Sequence, residues 1–301
     1  MRINALMTAY NTEEFVRAAI DSVYDYVDEI VILEGSWSNL ETPRSKDKTW
    51  DIIESHPDLG NKLIRLRHDG TANPDTWKYV SQEHQENTLR LHSHPYYNGT
   101  ALQKQLLVRD YAFRNFTDPT GWLFFVDSDE VYKPEDIEAI MIMAESIDIA
   151  GDTSYNSITL PGRNFYFGYK YYATEFYQRL IRIPPHSLRP YMRRTCSLGW
   201  DGAKISNTDL DIGFYHYGYV GYDRVKEKLT MWDEKVVNEW FARHIDLWNG
   251  AKYDGRGVHL LQGVNPVYSK YMLEEFKGQH PLQIQEQIIE INNNSRHSVL
   301  Q

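Results

Sequence analysis

A chain of 301 residues with 42% hydrophobic and 25% charged side chains has the balance of a folded, water-soluble protein and excludes a disordered one. Thirty-two basic against 42 acidic residues leave a formal charge of -10, so no global field draws the chain to nucleic acid or to an anionic membrane. Cys196 is the single cysteine, which excludes an internal disulfide, a cysteine-based zinc site and a thiol redox pair.

The first apolar run, Ile3 to Ala9, predicts a strand, and Thr12-Glu13-Glu14 then opens a helix with a hydroxyl cap and early acids, carrying Phe15, Ala18, Ala19, Ser22 and Val23 on one side. Residues 29–34 (Glu-Ile-Val-Ile-Leu-Glu) predict a second buried strand, 47–55 a short helix and 62–67 a third strand. Residues 68–99 are polar, rich in His, Asn and Pro and without a clear period, so they predict one long loop. A helix is expected over 100–116, an apolar strand over 121–126 and a helix over 135–146 with Pro134 at its start. Alternation of this kind points to a mainly parallel sheet covered on both faces, with ligands at the carboxyl ends of the strands. Three polar clusters follow three apolar strands: Ala9-Tyr10-Asn11, Glu34-Gly35-Ser36 and Asp127-Ser128-Asp129.

Beyond residue 150 the texture changes. Aromatic strands over 154–160, 164–169 and 176–183 predict antiparallel pieces completing the sheet, and a helix is expected over 223–248 with Val225, Leu229, Trp232, Val236, Trp240 and Phe241 on a core-facing stripe. The 22 tyrosines, many of them in this half, suit either a surface that stacks on sugar rings or a Tyr-rich core rim. The Asn292-Asn293-Asn294-Ser295 run predicts a frayed tail. No stretch approaches the ~20 apolar residues of a membrane span, and the opening residues lack a secretory pattern. A cytoplasmic location is therefore expected, with any membrane contact peripheral.

The chemistry concentrates at residues 121–130, where an apolar strand runs into Asp127, Asp129 and Glu130. Three carboxylates at the exposed end of a strand call for a neutralising partner. Oxygen donors of this kind suit Mg²⁺ or Mn²⁺, held by one or two carboxylates together with the phosphates of a substrate. An acidic turn capping the next helix is the alternative.

Residues 7–14, 29–36 and 122–130 resemble, in order and spacing, the first half of family 2-like glycosyltransferases with the GT-A fold. The Lys104-Gln105-Leu106-Leu107-Val108-Arg109-Asp110 segment, Gln178-Arg179-Leu180-Ile181-Arg182, His216-Tyr217 with Lys228, and Gly278-Gln279-His280-Pro281 are similar to later elements of that family. The resemblance implies a GT-A-like (Rossmann-like) mixed sheet flanked by helices with an aromatic-rich, acceptor-side second half. It divides the chain into a glycosyltransferase domain over 1–220, with a nucleotide-sugar half (1–130) and an acceptor half (131–220), and a helical extension over 221–301. Thr8, Ala9, Tyr10 and Asn11 would line the base and ribose, and Glu34 stands where the family has a base-contacting Asp. Lys104 would face the donor near its phosphates, Asp127 and Ser128 the ribose or a metal-bound water, and Asp127, Asp129 and His216 the metal. An inverting member needs a carboxylate base, for which Asp201 beside Trp200 is the candidate and Glu175, Asp209 and Asp211 are competitors.

The implied activity is metal-dependent transfer of a sugar from a nucleotide sugar, with UDP as the expected nucleotide, to an acceptor hydroxyl. A glycan or lipid-linked glycan of polysaccharide biosynthesis is the expected acceptor, and a modified DNA base is an alternative that the net acidity disfavours. Two other classes stay open: a nucleotidyltransferase, disfavoured because Tyr10-Asn11-Thr12-Glu13-Glu14 lacks a glycine-rich basic loop, and a catalytically silent glycan-binding module.

Overall fold

The computed structural model of the chain describes residues 1–35, 44–67, 109, 112–113, 115–151, 155–183, 192–193, 197–198, 203–206, 212–230, 234–255, 258–259 and 270–288. The first half runs β1 (Ile3–Ala9), α1 (Val16–Val23), β2 (Glu29–Glu34), α2 (Thr49–Ser55), β3 (Leu63–Arg67), β4 (Gly121–Asp127), β5 (Glu130–Val131) and α3 (Pro134–Ala150). The second runs β6 (Tyr155–Tyr166), β7 (Tyr171–Ile183), β8 (Met192–Arg193), β9 (Ser197–Leu198), β10 (Ala203–Ser206), β11 (Phe214–Tyr219), α4 (Tyr222–Thr230), α5 (Glu234–Arg243), α6 (Ile245–Trp248), β12 (Val258–His259), β13 (Lys270–Tyr271) and β14 (Glu274–Glu275). The principal sheet has the order β3-β2-β1-β4-β7-β6-β11-β5, with β10 added to β6 and β14 to β7.

The four strands β3, β2, β1 and β4 are mutually parallel, and β7 joins β4 antiparallel. Their side chains alternate between two cores. Ala5, Met7, Ile30, Ile32, Phe124 and Val126 face α1, α2 and α3, where they meet Val16, Ile20, Ile53, Ile137 and Ile140. Leu6, Val31, Leu33, Leu123 and Phe125 face the other way, against Ala112, Phe113 and Phe116. Both faces are covered, which is why these strands read as unbroken apolar runs instead of alternating ones. The α/β reading of the sequence therefore holds; the aromatic strands expected over 154–160 and 164–169 form the single strand β6, antiparallel to β7.

Two elements differ from the expectation. The first helix begins at Val16, because residues 12–15 form a turn whose Thr12 carbonyl accepts from the N–H groups of Phe15 and Val16. The helical span expected over 223–248 is divided into α4, α5 and α6. Of its apolar stripe, Val225, Trp240 and Phe241 are buried and pack with Tyr166, Ala173 and Leu273. The Asn292-Asn293-Asn294-Ser295 run, all of the expected 68–99 loop and most of the expected 100–116 helix lie outside the described residues.

A curl in the sheet decides where the chemistry falls. The chain leaves β4 at Asp127 and re-enters the same sheet at Glu130, yet β7, β6 and β11 stand between β4 and β5 in the strand order. In a flat sheet those four strand steps would separate β4 from β5 by roughly 19 Å. Three Cα–Cα steps reach no more than about 11 Å. The sheet must therefore bend back on itself.

The C-terminal residues return to this sheet. The strand β14 pairs with β7, Ile284 packs beside Phe15, Phe165 and Tyr217, and Gln287 donates to the Glu14 carbonyl. No helix among the described residues is long and apolar enough to cross a membrane.

Candidate functional site

Parallel pairing sets the expected residues side by side. Ala9 is opposite Glu34, Thr8 is opposite Asp127, and Glu34 is in turn opposite Arg67. The carboxyl edge of β1, β2 and β4 thus carries one continuous polar rim.

At the β2 end the Glu34 carboxylate is fully buried. It accepts from the Ser45 N–H at 2.6 Å and from Arg67 Nε at 3.2 Å. Asn11, in a left-handed conformation (φ 49°) that an amide side chain tolerates, donates its N–H to Ser45 Oγ and accepts from the Lys46 N–H. The segment after residue 44 is therefore laced to both strand ends. Thr8 and Tyr10 are half-buried on the same rim.

At the β4 end three carboxyl groups meet three guanidinium groups. Asp127 accepts from Arg109 at 2.9 Å through one oxygen and from Arg179 at 3.3 Å through the other. Arg179 also pairs with Glu130, and Arg224 stands 3.3 Å from Asp129 Oδ2. Aromatic faces hold the guanidiniums in place: Arg109 over Phe125, Arg179 over Tyr177 and Phe214, and Arg224 over Phe15, at 4.9 to 5.7 Å from the ring centroids. Burial alone would raise the Asp127 carboxyl, but Arg179 and Arg109 outweigh it and hold the group below the ordinary range. Burial wins at Glu130, which is pushed well above the ordinary range in spite of Arg179.

The neutralising partners that the sequence left to a metal are thus supplied in part by the protein itself. Sequence reasoning missed Arg224 and gave Arg109 and Arg179 no role in the site. An arginine inside an apolar strand, as Arg179 is in Leu180-Ile181 context, was the available signal, because a buried guanidinium needs acidic partners.

Asp129 is also not at an exposed strand end, being only 3% exposed. The curl brings β11 across it: His216 pairs with Glu130, and the Tyr217 N–H donates to the Asp129 carbonyl at 2.8 Å. His216 Nε2 consequently lies 3.3 Å from Asp129 Oδ1. Ser128 is buried, and its hydroxyl accepts from Thr12 Oγ1 at 3.0 Å, tying the motif to the turn before α1. Lys104, Trp200, Asp201, Asp209 and Asp211 lie outside the described residues; Glu175 is buried on β7, bonded to Tyr177.

The donor chemistry fits a hard divalent cation at one point. A carboxylate oxygen and an imidazole nitrogen converge at Asp129 and His216, a pair suited to Mn²⁺. No group of three His, Cys, Asp or Glu gathers for a metal among the described residues, so the remaining ligands would be water and substrate oxygens. Asp127, bracketed by two arginines, faces the same rim and is the most open of the three, its side chain being 28% exposed. Of the second-half tyrosines, Tyr166, Tyr215 and Tyr217 are buried in the core, with Tyr217 stacked on Phe15 and Phe165.

No family model and no curated protein matches the sequence. Among solved structures, the chain is similar to residues 1–349 of S. aureus TarS, at 14% identity and a TM-score of 0.36 over 82% of this chain and 69% of that one. It is also similar to glucosyl-3-phosphoglycerate synthase from Mycobacterium tuberculosis in complex with Mn²⁺ and UDP-glucose, at 14% identity and a TM-score of 0.34 over 91% and 86% of the two chains. Against a longer TarS structure the chain spans 43% of the partner's length. At such low TM-scores, function rests on this chain's own geometry.

Proposed function

We propose that this chain is a divalent-metal-dependent glycosyltransferase of the GT-A type, moving a sugar from a nucleotide sugar, with UDP as the nucleotide, to an acceptor hydroxyl with inversion. The observation that carries this reading is the meeting of Asp129 and His216 at 3.3 Å on the carboxyl edge of β1, β2 and β4, beside Asp127. Residues from two distant segments converge there with the donor types a phosphate-bound cation uses.

In this reading Thr8, Ala9, Tyr10 and Asn11 form the floor under the base and ribose, and Glu34 braces that floor through Ser45 and Arg67. Asp127, held by Arg109 and Arg179, is fixed in position to accept from a ribose hydroxyl or a water. Asp129 and His216 would hold the cation, which would supply neutralisation of charge on the departing diphosphate. Lys104 is assigned to the phosphates, Trp200 to the sugar face and Asp201 to the acceptor. The acceptor oxygen attacks the anomeric carbon, its proton passes to the Asp201 carboxylate, and the bond from that carbon to the phosphate oxygen breaks to release the nucleoside diphosphate. A glycan or lipid-linked glycan is the proposed acceptor.

The test is donor hydrolysis across a panel of UDP, GDP and dTDP sugars with and without Mn²⁺, beside a thermal-shift measurement with each nucleotide. Mn²⁺-dependent release of one nucleoside diphosphate and a raised melting temperature with that nucleotide are expected. A chain that binds none of the nucleotides and consumes none of the donors would overturn the proposal in favour of a silent glycan-binding module.

A further inference from the structure

A line of buried polar groups runs behind His216, away from Asp129. His216 Nδ1 bonds Asn164 Oδ1, Asn164 Nδ2 lies 3.0 Å from the Tyr177 hydroxyl, and that hydroxyl bonds the Glu175 carboxylate. Asn164 is fully buried, Glu175 is 7% exposed, and the two tyrosine-bearing strands β6 and β7 set the spacing.

With the Asn164 amide as the structure places it, Nδ2 at 3.0 Å and Oδ1 at 3.2 Å from the Tyr177 hydroxyl, donors and acceptors along this line fall into one arrangement. A carboxylate only accepts, so the Tyr177 O–H points at Glu175. The Tyr177 oxygen then has only lone pairs left for Asn164 and takes the nearer NH₂. The amide oxygen of Asn164 is thereby turned toward His216, and an oxygen facing Nδ1 requires a proton there. In the neutral ring Nε2 is left with its lone pair, aimed at Asp129 Oδ1. Two lone pairs face each other across 3.3 Å, an arrangement that a cation between them relieves.

We propose that Glu175, Tyr177 and Asn164 are positioning residues that lock His216 in the Nδ1–H tautomer, so that Nε2 and Asp129 together form a cation-binding pair. The proposal rests on the metal-dependent reading for its consequence, but the tautomer lock is a property of the metal-free protein. It also gives Glu175 a role other than that of the base.

The experiment uses ¹⁵N-histidine-labelled full-length protein, metal-free and at mildly alkaline pH, with the His216 ring assigned by its loss in His216→Gln. Long-range ¹H–¹⁵N spectra read the tautomer directly. Wild type is expected to show neutral Nδ1–H, and Asn164→Leu and Tyr177→Phe to show a shift toward Nε2–H. In parallel, the free Mn²⁺ EPR signal is titrated with each protein, and both variants are expected to bind about 10- to 100-fold more weakly than wild type. Melting curves identify any variant that fails to fold, and Tyr177→Phe, which removes one oxygen, is the gentler of the two.

A wild-type ring protonated at Nε2, neutral or imidazolium, overturns the proposal. So do unchanged spectra in both variants. If only Asn164→Leu changes, the Tyr177 and Glu175 part is overturned. Wild-type protein that shows the Nδ1–H tautomer but binds no Mn²⁺ sinks the metal-dependent reading and the cation-pair consequence, while the spectrum upholds the lock.

Discussion

Gly218 leaves the space that the imidazole of His216 occupies: a β-carbon at Gly218 would stand 2.4 Å from His216 Nε2 and 2.7 Å from Cε1. Real carbon and nitrogen atoms do not approach so closely, so the ring would have to move. Asn164 holds the other side of it.

Gly218→Ala should therefore push Nε2 off Asp129 and raise the Mn²⁺ concentration needed for half-maximal activity by about tenfold, equivalent to ~1.4 kcal/mol of metal binding. A Mn²⁺ titration of donor hydrolysis beside a melting curve checks this. An unaltered metal requirement would show that His216 contributes no ligand.

Asp129→Asn should abolish metal-dependent turnover and also lower stability, because Asp129 is buried and faces Arg224. Asparagine keeps the volume and one acceptor but leaves a half-buried guanidinium short of its counter-charge. A loss of about 2 kcal/mol is expected from urea unfolding. Stability equal to wild type would mean that Arg224 is satisfied without the carboxylate.

Arg179 holds both Asp127 and Glu130 and is 1% exposed. Arg179→Met leaves the buried Glu130 without its guanidinium and Asp127 with Arg109 alone, and should cost about 3–5 kcal/mol. Glu130→Gln introduced on top should recover part of the loss, since the neutral amide no longer needs the guanidinium. A double-mutant cycle measures the coupling, and strictly additive effects would contradict it.

A pH dependence follows from Asp136, which is buried in the first turn of α3. Burial pushes its carboxyl up to about 6, against the opposing pull of Arg163 and the Gly213 N–H. The folded chain therefore holds this proton more tightly than the unfolded one, whose carboxyl titrates near ~3.9. The contribution is favourable at low pH and is lost as pH rises from about 4 to about 6. Asp136→Asn should match wild-type stability near the lower limit and exceed it above the upper one, by up to about 3 kcal/mol. Melting curves of both proteins across this range provide the check, and a constant difference at all pH values would refute it.

Sequence alone determined the layout of the first half. Strand periodicity, apolar length and the polar clusters after Ala9, Leu33 and Val126 are local signals, and local signals survive in a linear text. Because β1, β2 and β4 are parallel, their carboxyl ends lie on one edge, so the convergence of Asn11, Glu34 and Asp127 was legible before any coordinate. The burial of Asp129, the three guanidiniums around the acid cluster and the line from Glu175 to His216 were not. The burial of Asp129 depends on the curl that carries β7, β6 and β11 round to β5, and the others depend on long-range strand pairing; the curl itself is set by that pairing and by the two-residue link of Ser128 and Asp129. No window of sequence contains Arg109, Arg179, Arg224 and Asp127 together. Whether an aspartate faces water, a metal or an arginine is decided by what the fold brings beside it.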